Sequence, residues 1–234
     1  MMRKGELDFD ATALPSSADA LLGDIPVEKR EGVLRCMHAD LRVLPEGAAL
    51  LSSTLGMQGE QGLVAGFVLS GSLRAERIDE NGTRSILGLF SEGAVILPQD
   101  TPLLDDDWNL VACCESRLLR ISISAEVVRC DRCMRYVSAV RGNLLTALAK
   151  TNQQLMSRLM ILTRRTTREK VLALVRQMAY ELGGNVVDLP LNRQELADFL
   201  LVDRSALSRE LSNLRKEGIL SVERSRFEIL SPEM

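Results

Sequence analysis

Residues 191–211 read LNRQELADFLLVDRSALSREL, and the rest of the chain is organised around them. Asn192 followed three residues later by Glu195 predicts a capping box, in which each side chain satisfies an orphan amide of a first helical turn. Leu196, Ala197 and Leu200 then fall on one face at helical spacing. Asp203 opens a second helix whose Leu207 and Leu211 face inward, while Arg204, Ser205, Ser208 and Arg209 face outward. A small residue (Ala197) at the crossing point and a short break near Leu201, Val202 and Asp203 predict a helix-turn-helix of the kind that reads DNA. Periodicity alone also fits an ordinary helical hairpin with a solvated polar face.

The next stretch, NLRKEGILSVERSRFEIL, separates the two readings. Gly218 ends the second helix, and ILSV and RFEIL alternate like two short strands around residues 223–225. Such a hairpin is a wing.

At this point the chain resembles a known family. Residues 167–230 are similar to the C-terminal domain of the Crp/Fnr (catabolite activator) transcription regulators. The words TTREKVLALV, LPLNRQELADFL, VDRSALSREL, LRKEGIL and RFEIL stand in the family's order and register. Leu201 departs from the pattern, because such turns often place glycine there. If that position needs positive φ, leucine costs roughly 1–2 kcal/mol.

Composition sets the bounds. A chain of 234 residues has room for two modest domains, each burying its own core. No stretch is long and apolar enough to span a membrane, and the opening MMRKGELDFD lacks an apolar signal region, so the expected location is the cytoplasm. Residues 151–234 carry 13 Lys and Arg against 11 Asp and Glu, whereas residues 1–150 carry 16 against 21. That polarity suits DNA held at one end only.

Residues 1–19 are polar and irregular and are read as a mobile tail. Leu21, Leu22, Ile25, Val33 and Leu34 then suggest short helices interrupted at Pro26. From Leu41 the period changes. LRVL, AALL, GFVLSGSLRAERI, TRSILGLF, AVIL, NLVACC and RLLRISI are strand-like runs with glycine turns. Asn81 and Gly82 between alternating runs mark a hairpin. Eight or so short strands without intervening helix indicate a sandwich or barrel. The resemblance implies the family's double-stranded β-roll sensor, a cyclic-nucleotide-binding-like jelly roll, over residues 20–128.

From about Asp131 the helical period returns. Val137, Val140, Leu144, Leu148, Leu155 and Leu159 form a stripe that continues to the Thr163 region, about 45 Å of helix. The stripe fits a dimer coiled coil, or a core helix lying across its own β-roll. In the family the corresponding helix is the dimer interface, here residues 129–163. Thr166 with Glu169 makes a second capping box, so a hinge is expected at residues 162–166. The fold class is therefore α+β: a β-roll, a long dimerisation helix, and a winged helix-turn-helix over residues 164–234.

Base edges need planar donors, and phosphates need cations. Arginine at Arg204 or Arg209 can fork onto guanine, and Arg209 matches the family's base-reading arginine. Many members carry glutamate where this chain has Ser205, so their cytosine contact does not transfer. Ser205 and Ser208 remain candidates for base or phosphate contact. Arg164, Arg165, Arg168, Arg193, Arg224 and Arg226 are candidate phosphate contacts.

The sensor region lacks the family's cyclic-phosphate apparatus, a Gly-Glu-Leu turn and an Arg-Ser or Arg-Thr pair. No lysine or arginine lies between Arg84 and Arg117, while Asp100, Asp105, Asp106 and Asp107 crowd the loop. A cyclic nucleotide is therefore not the expected effector. Pro98, Leu103 and Trp108 suggest a more apolar pocket, or simply the packing of that loop.

Cys130 and Cys133 form a C-x-x-C at the start of the long helix. Cys113, Cys114, Cys36 and His38 could join them in a metal or redox site. Lone C-x-x-C pairs are more often inert thiols, and the N-terminal cysteine cluster of the family's iron–sulfur members is absent.

The expected protein is a non-enzymatic, one-component transcription regulator, a homodimer on palindromic double-stranded DNA, with RNA polymerase as a further candidate partner. Its control would come from an effector other than a cyclic nucleotide, or from a redox or metal signal. The alternatives are a C-x-x-C thiol oxidoreductase and a constitutive regulator with a vestigial sensor domain.

Overall fold

A computed structural model describes residues 9–51, 64–97, 108–123 and 133–231. The chain divides into two compact units. The first comprises Met1–Arg77 and Leu89–Asn152, and the second comprises Ile78–Gly88 and Gln153–Met234.

The first unit is built on two four-stranded antiparallel sheets. The strands are β1 (Asp40–Leu44), β2 (Ala49–Leu51), β3 (Val64–Ser70), β4 (Ser72–Ile78), β5 (Arg84–Ser91), β6 (Val95–Ile96), β7 (Asn109–Ala112) and β8 (Ser116–Ser122). One sheet runs β1-β8-β3-β6 and the other β2-β7-β4-β5, the strand order of a jelly roll. The chain passes between sheets at Gly71, the single residue separating β3 from β4. Its φ is +83°, and a Cβ there would collide with Ser116 Oγ and the Glu115 carbonyl, so only glycine fits.

Strand β3 reads as an unbroken apolar run because both of its faces are covered. Val68 packs between the sheets with Leu73, Ala75, Ile96, Leu110 and Leu118. Ala65, Phe67 and Leu69 face the other way, against α1 (Asp19–Leu22), α2 (Val27–Cys36) and the first half of α3 (Met134–Leu162). The buried Arg120 is paired across strands with Asp40, Nε donating to Oδ1 at 2.6 Å.

The β4–β5 hairpin turns where Asn81 and Gly82 place it, but not as a two-residue turn. Asp79 accepts from Gly82 N at 2.9 Å and donates its own N–H to the Thr83 carbonyl at 3.0 Å. Its carboxylate also takes the amides of Asn81 and Thr83, and only Gly82 has positive φ.

The expectation of a loose tail needs correcting for residues 9–18. Ala11 and Ala18 are buried, Phe9 and Leu14 pack on the core, and Ser17 Oγ hydrogen-bonds the Leu69 carbonyl. The apolar residues scattered among the polar ones supply that contact.

The second unit holds α4 (Thr167–Leu182), β9 (Val186–Asp188), α5 (Arg193–Leu200), α6 (Arg204–Lys216), β10 (Leu220–Glu223) and β11 (Arg226–Ile229). Its sheet order is β10-β11-β9. The third strand, from the sequence NVVD, was not anticipated, because three residues carry too little periodicity to register. Leu196, Leu200, Leu207, Leu211, Leu214 and Phe227 are among its buried residues.

Candidate nucleic-acid interface

Both predicted capping boxes form. Asn192 Oδ1 accepts from Glu195 N at 3.0 Å and Glu195 Oε2 accepts from Asn192 N at 2.7 Å, fixing the start of α5. Thr166 and Glu169 make the reciprocal pair at 3.2 and 3.1 Å at the start of α4. The turn between α5 and α6 is held by Leu201 at φ 52°, ψ 57°, a left-handed leucine. Lys170 reaches in from α4 and donates to the Leu200 carbonyl at 3.0 Å, satisfying one of the carbonyls that a helix end leaves open. Nothing in the spacing of Lys170 announces that role.

Asp203 caps α6 by accepting from Ser205 N at 2.8 Å and Ala206 N at 3.0 Å. The Ser205 hydroxyl also donates to the Asp203 carboxylate, and this bond is the main reason that its pKa falls below the ordinary value. Leu207, Leu211 and Leu214 are buried, while Arg204, Ser205, Ser208 and Arg209 are exposed. Positions 204 and 208, and 205 and 209, stand one above the other, so all four share one outward face. With the Ser205 proton used in the cap, that face offers two guanidiniums and the Ser208 hydroxyl as donors.

At the end of α6 the Gly218 amide bonds the Arg215 carbonyl and the Ile219 amide bonds the Leu214 carbonyl, closing the helix in left-handed glycine geometry. Strands β10 and β11 follow as the wing, pairing Leu220 with Ile229 and Glu223 with Arg226. Arg224 lies in the turn at φ 51°, and both Arg224 and Arg226 are exposed. Arg164 and Arg165, just before α4, are exposed as well.

Two of the expected phosphate cations are engaged by the protein itself. Arg168 donates to Glu210 at 3.1 Å and to both carboxylate oxygens of Glu217, tying α4 to α6. Arg193 lies 5.9 Å from the Phe227 ring centroid and donates to the Arg224 carbonyl at 3.2 Å. Partial burial lowers its pKa, so its role here is to seat the wing against α5.

The tip of the β4–β5 hairpin belongs to this same unit. Arg84 Nε donates to Asp198 Oδ2 at 2.8 Å, and the Arg84 guanidinium lies 3.9 Å from Glu195. Arg158 of α3 stacks over Phe199 at 4.3 Å, donates to the Phe199 carbonyl at 2.9 Å and bonds the Ile86 carbonyl. Burial pushes its pKa down to about 10. Nothing in the sequence pattern marks Arg158 for that role.

The stripe on α3 divides. Val137, Val140 and Leu144 are buried in the first unit's own core, so these three are corrected from dimer contacts to core residues, while Leu148 packs on that core and keeps part of its surface exposed. The N-terminal half of α3 lies under α1 and α2, which periodicity could not reveal. Leu155 and Leu159 are exposed, together with Leu145, Met156 and Met160.

In the sensor region, Trp108 is half-buried against the inter-sheet core. Pro98 and Leu103 lie outside the described residues, as does Cys130. His38 ends α2 in a left-handed conformation at φ 49°. Cys113 follows β7, where Arg74 Nη1 approaches its sulfur at 3.9 Å, and Cys114 is exposed. Among the described residues no three His, Cys, Asp or Glu side chains gather closely enough to hold a metal ion. None of the described helices is long and apolar enough to cross a membrane.

Comparison with known proteins bears on this geometry. Residues 153–234 match the model of the Crp-like helix-turn-helix domain. The transcriptional activator protein FnrL of Cereibacter sphaeroides is 25% identical over 89% of this chain and 87% of its own length. A probable transcriptional activator of Rhizobium leguminosarum bv. viciae is 28% identical over 97% of this chain and 94% of its own length. Among solved structures, a CooA variant from Carboxydothermus hydrogenoformans is similar with a TM-score of 0.66 and 18% identity, covering 95% of this chain and 96% of the other.

Proposed function

From the premise that this chain belongs to the Crp/Fnr family of transcription regulators and carries its helix-turn-helix, we propose that it acts as a homodimer on palindromic operator DNA. The single observation that carries the reading is the outward face of α6, where exposed Arg204, Ser208 and Arg209 stand on a helix capped by Asp203 and backed by buried leucines. A rigid helix presenting two guanidiniums suits the major groove, where arginine forks onto guanine O6 and N7. Arg164, Arg165, Arg224 and Arg226 flank that face in sequence at the α4 start and the wing, and supply phosphate contacts.

Dimerisation would use the exposed apolar side chains of α3, namely Leu145, Leu155, Met156, Leu159 and Met160. Two-fold symmetry of the protein would then be matched by a palindrome with half-sites about one helical turn apart. Control would come from an effector other than a cyclic nucleotide, or from a redox or metal signal, shifting the population of DNA-competent dimers.

Footprinting of the purified protein on genomic fragments supplies the operator. Binding should fall steeply with salt. Arg209→Ala should cost about 1–3 kcal/mol at one base pair of each half-site. Arg165→Ala should weaken all sequences alike and lower the salt slope by about one. An unchanged ranking of operator variants with Arg209→Ala would remove α6 from the role of reader.

A further inference from the structure

Cys133 and Cys36 stand 97 residues apart in sequence, yet their sulfurs are 3.3 Å apart. Cys36 is the last residue of α2, and Cys133 immediately precedes α3. The Cys133 carbonyl accepts from Tyr136 N and Val137 N, both at 2.9 Å, so Cys133 occupies the cap position of a 29-residue helix. Its sulfur also lies 3.9 Å from the Gly32 carbonyl, one turn before Cys36 on the same face of α2. Both cysteines are half-buried.

We infer that Cys133 and Cys36 form a hydroperoxide-reactive pair that closes to an intramolecular disulfide. The C-x-x-C spacing directs attention to Cys130 as the partner of Cys133; among the described residues the fold brings Cys36 to Cys133. The step needs about 1.3 Å of further approach to reach bonding distance, within the reach of side-chain rotation at a helix terminus. Cys133 is the attacking sulfur, because the amide dipoles of a helix N-terminus favour negative charge there. Its thiolate attacks one peroxide oxygen, the O–O bond breaks, and hydroxide (or an alkoxide) leaves, giving a sulfenic acid. The Cys36 thiolate then attacks that sulfur and expels hydroxide. Two protons from the thiols neutralise the two leaving anions, so two thiols are oxidised and one hydroperoxide is reduced. A low-molecular-weight thiol reverses the bond by exchange. The pair deepens the redox form of control proposed above by naming its residues, but does not depend on any DNA-reading assignment.

Trypsin separates the competing cysteines. Cleavage at Arg35 and Arg42 releases Cys36 on CMHADLR, while cleavage at Arg129, Arg132 and Arg135 puts Cys130 and Cys133 on different tripeptides, CDR and CMR. The full-length reduced protein is treated with hydrogen peroxide, alkylated, digested and mapped by mass spectrometry. The expected product is CMHADLR linked to CMR, formed equally in Cys130→Ser and absent from Cys133→Ser. In Cys36→Ser the Cys133 sulfenic acid should persist and be trapped by dimedone, with at least a tenfold larger adduct than in the unaltered protein. A link from Cys133 to Cys130, a link between chains, or oxidation that bypasses both cysteines overturns the inference. Salt-dependent DNA binding by the same reduced preparation is scored separately, so loss of the disulfide and loss of the regulator reading are told apart.

Discussion

Arg84 at the tip of the β4–β5 hairpin and Asp198 on α5 form an ion pair at 2.8 Å, although 114 residues separate them. The arginine is 28% exposed and the carboxylate 11%, so the pair is less screened than a surface bridge. Asp198 also accepts from Gln194 at 2.7 Å, which orients it. A double-mutant cycle with Arg84→Ala and Asp198→Ala, read by chemical denaturation, should give a coupling of about 1 kcal/mol. Additive effects would mean that the two side chains contribute independently.

Leu201 is the strained residue of the turn, at φ 52°, with about half of its side chain in water. A leucine in the left-handed region costs about 1–2 kcal/mol, part of which glycine gives back through a freer unfolded chain. Leu201→Gly should therefore stabilise the protein by roughly 0.5–1 kcal/mol, visible as a higher denaturation midpoint. A lower midpoint would show that the exposed side chain makes contacts that outweigh the strain.

Acid should act first on the caps of the second unit. Hydrogen bonding lowers the pKa of Asp203 (from Ser205), of Glu169 (from the Thr166 cap) and of Glu217 (from Arg168). A carboxylate with a depressed folded pKa contributes stability that is complete above its unfolded value and is lost as pH falls through the folded one. The window therefore opens below about pH 4 for Asp203. Asp203→Asn keeps a side-chain cap without a titrating group. Its unfolding free energy should vary less steeply with pH below that point; an unaltered slope would exclude Asp203 as a source.

The legible parts of this chain were those with local chemistry. Capping boxes, the left-handed glycine after α6 and the wing hairpin each need only a few neighbouring residues, and each stands where the sequence puts it. Pairings across long separations were hidden. Val137, Val140 and Leu144 have the spacing of a dimer seam and of a core face alike, and only the placement of α1 and α2 decides between them. Arg168 and Arg193 look like any solvent-facing arginine until Glu210, Glu217 and Phe227 are brought beside them. Cys36 is one of four residues that could join the C-x-x-C, and nothing in the sequence singles it out as the neighbour of Cys133.

The first unit should not respond to cyclic AMP or cyclic GMP. Residues 85–116 contain no lysine or arginine, and a buried phosphate without cations or several amide donors costs several kcal/mol. Of the nearest arginines in sequence, Arg74 is paired with Glu76 at 3.0 Å and Arg84 with Asp198. Calorimetry with either nucleotide at millimolar concentration should show no saturable heat. A saturating isotherm with altered operator affinity would mean that one of these arginines, or Arg117, leaves its place to meet the phosphate.

The second half of α3 carries the sharpest test of assembly. Leu155, Met156, Leu159 and Met160 are 40–63% exposed, an unusual load of large apolar groups for two turns of helix in water. Leu155 and Leu159 lie one turn apart, as do Met156 and Met160, so they make a ridge that a second copy would cover. Covering a leucine contributes about 1.5–3 kcal/mol, and a two-fold axis counts each substitution twice. Leu159 is 55% exposed, so about half of that gain remains for each copy, and Leu159→Lys should weaken the dimer by about 1.5–3 kcal/mol, a rise in dissociation constant of roughly 10–10². Because the side chain is exposed in the isolated chain, the fold should survive, with circular dichroism unchanged. Sedimentation equilibrium then gives the constant, and the palindrome should be bound one half-site at a time. Val140→Lys is the contrasting variant: buried in the protomer's own core, it should unfold the first unit rather than split a dimer. A Leu159→Lys protein that remains dimeric at low micromolar concentration would place the interface elsewhere.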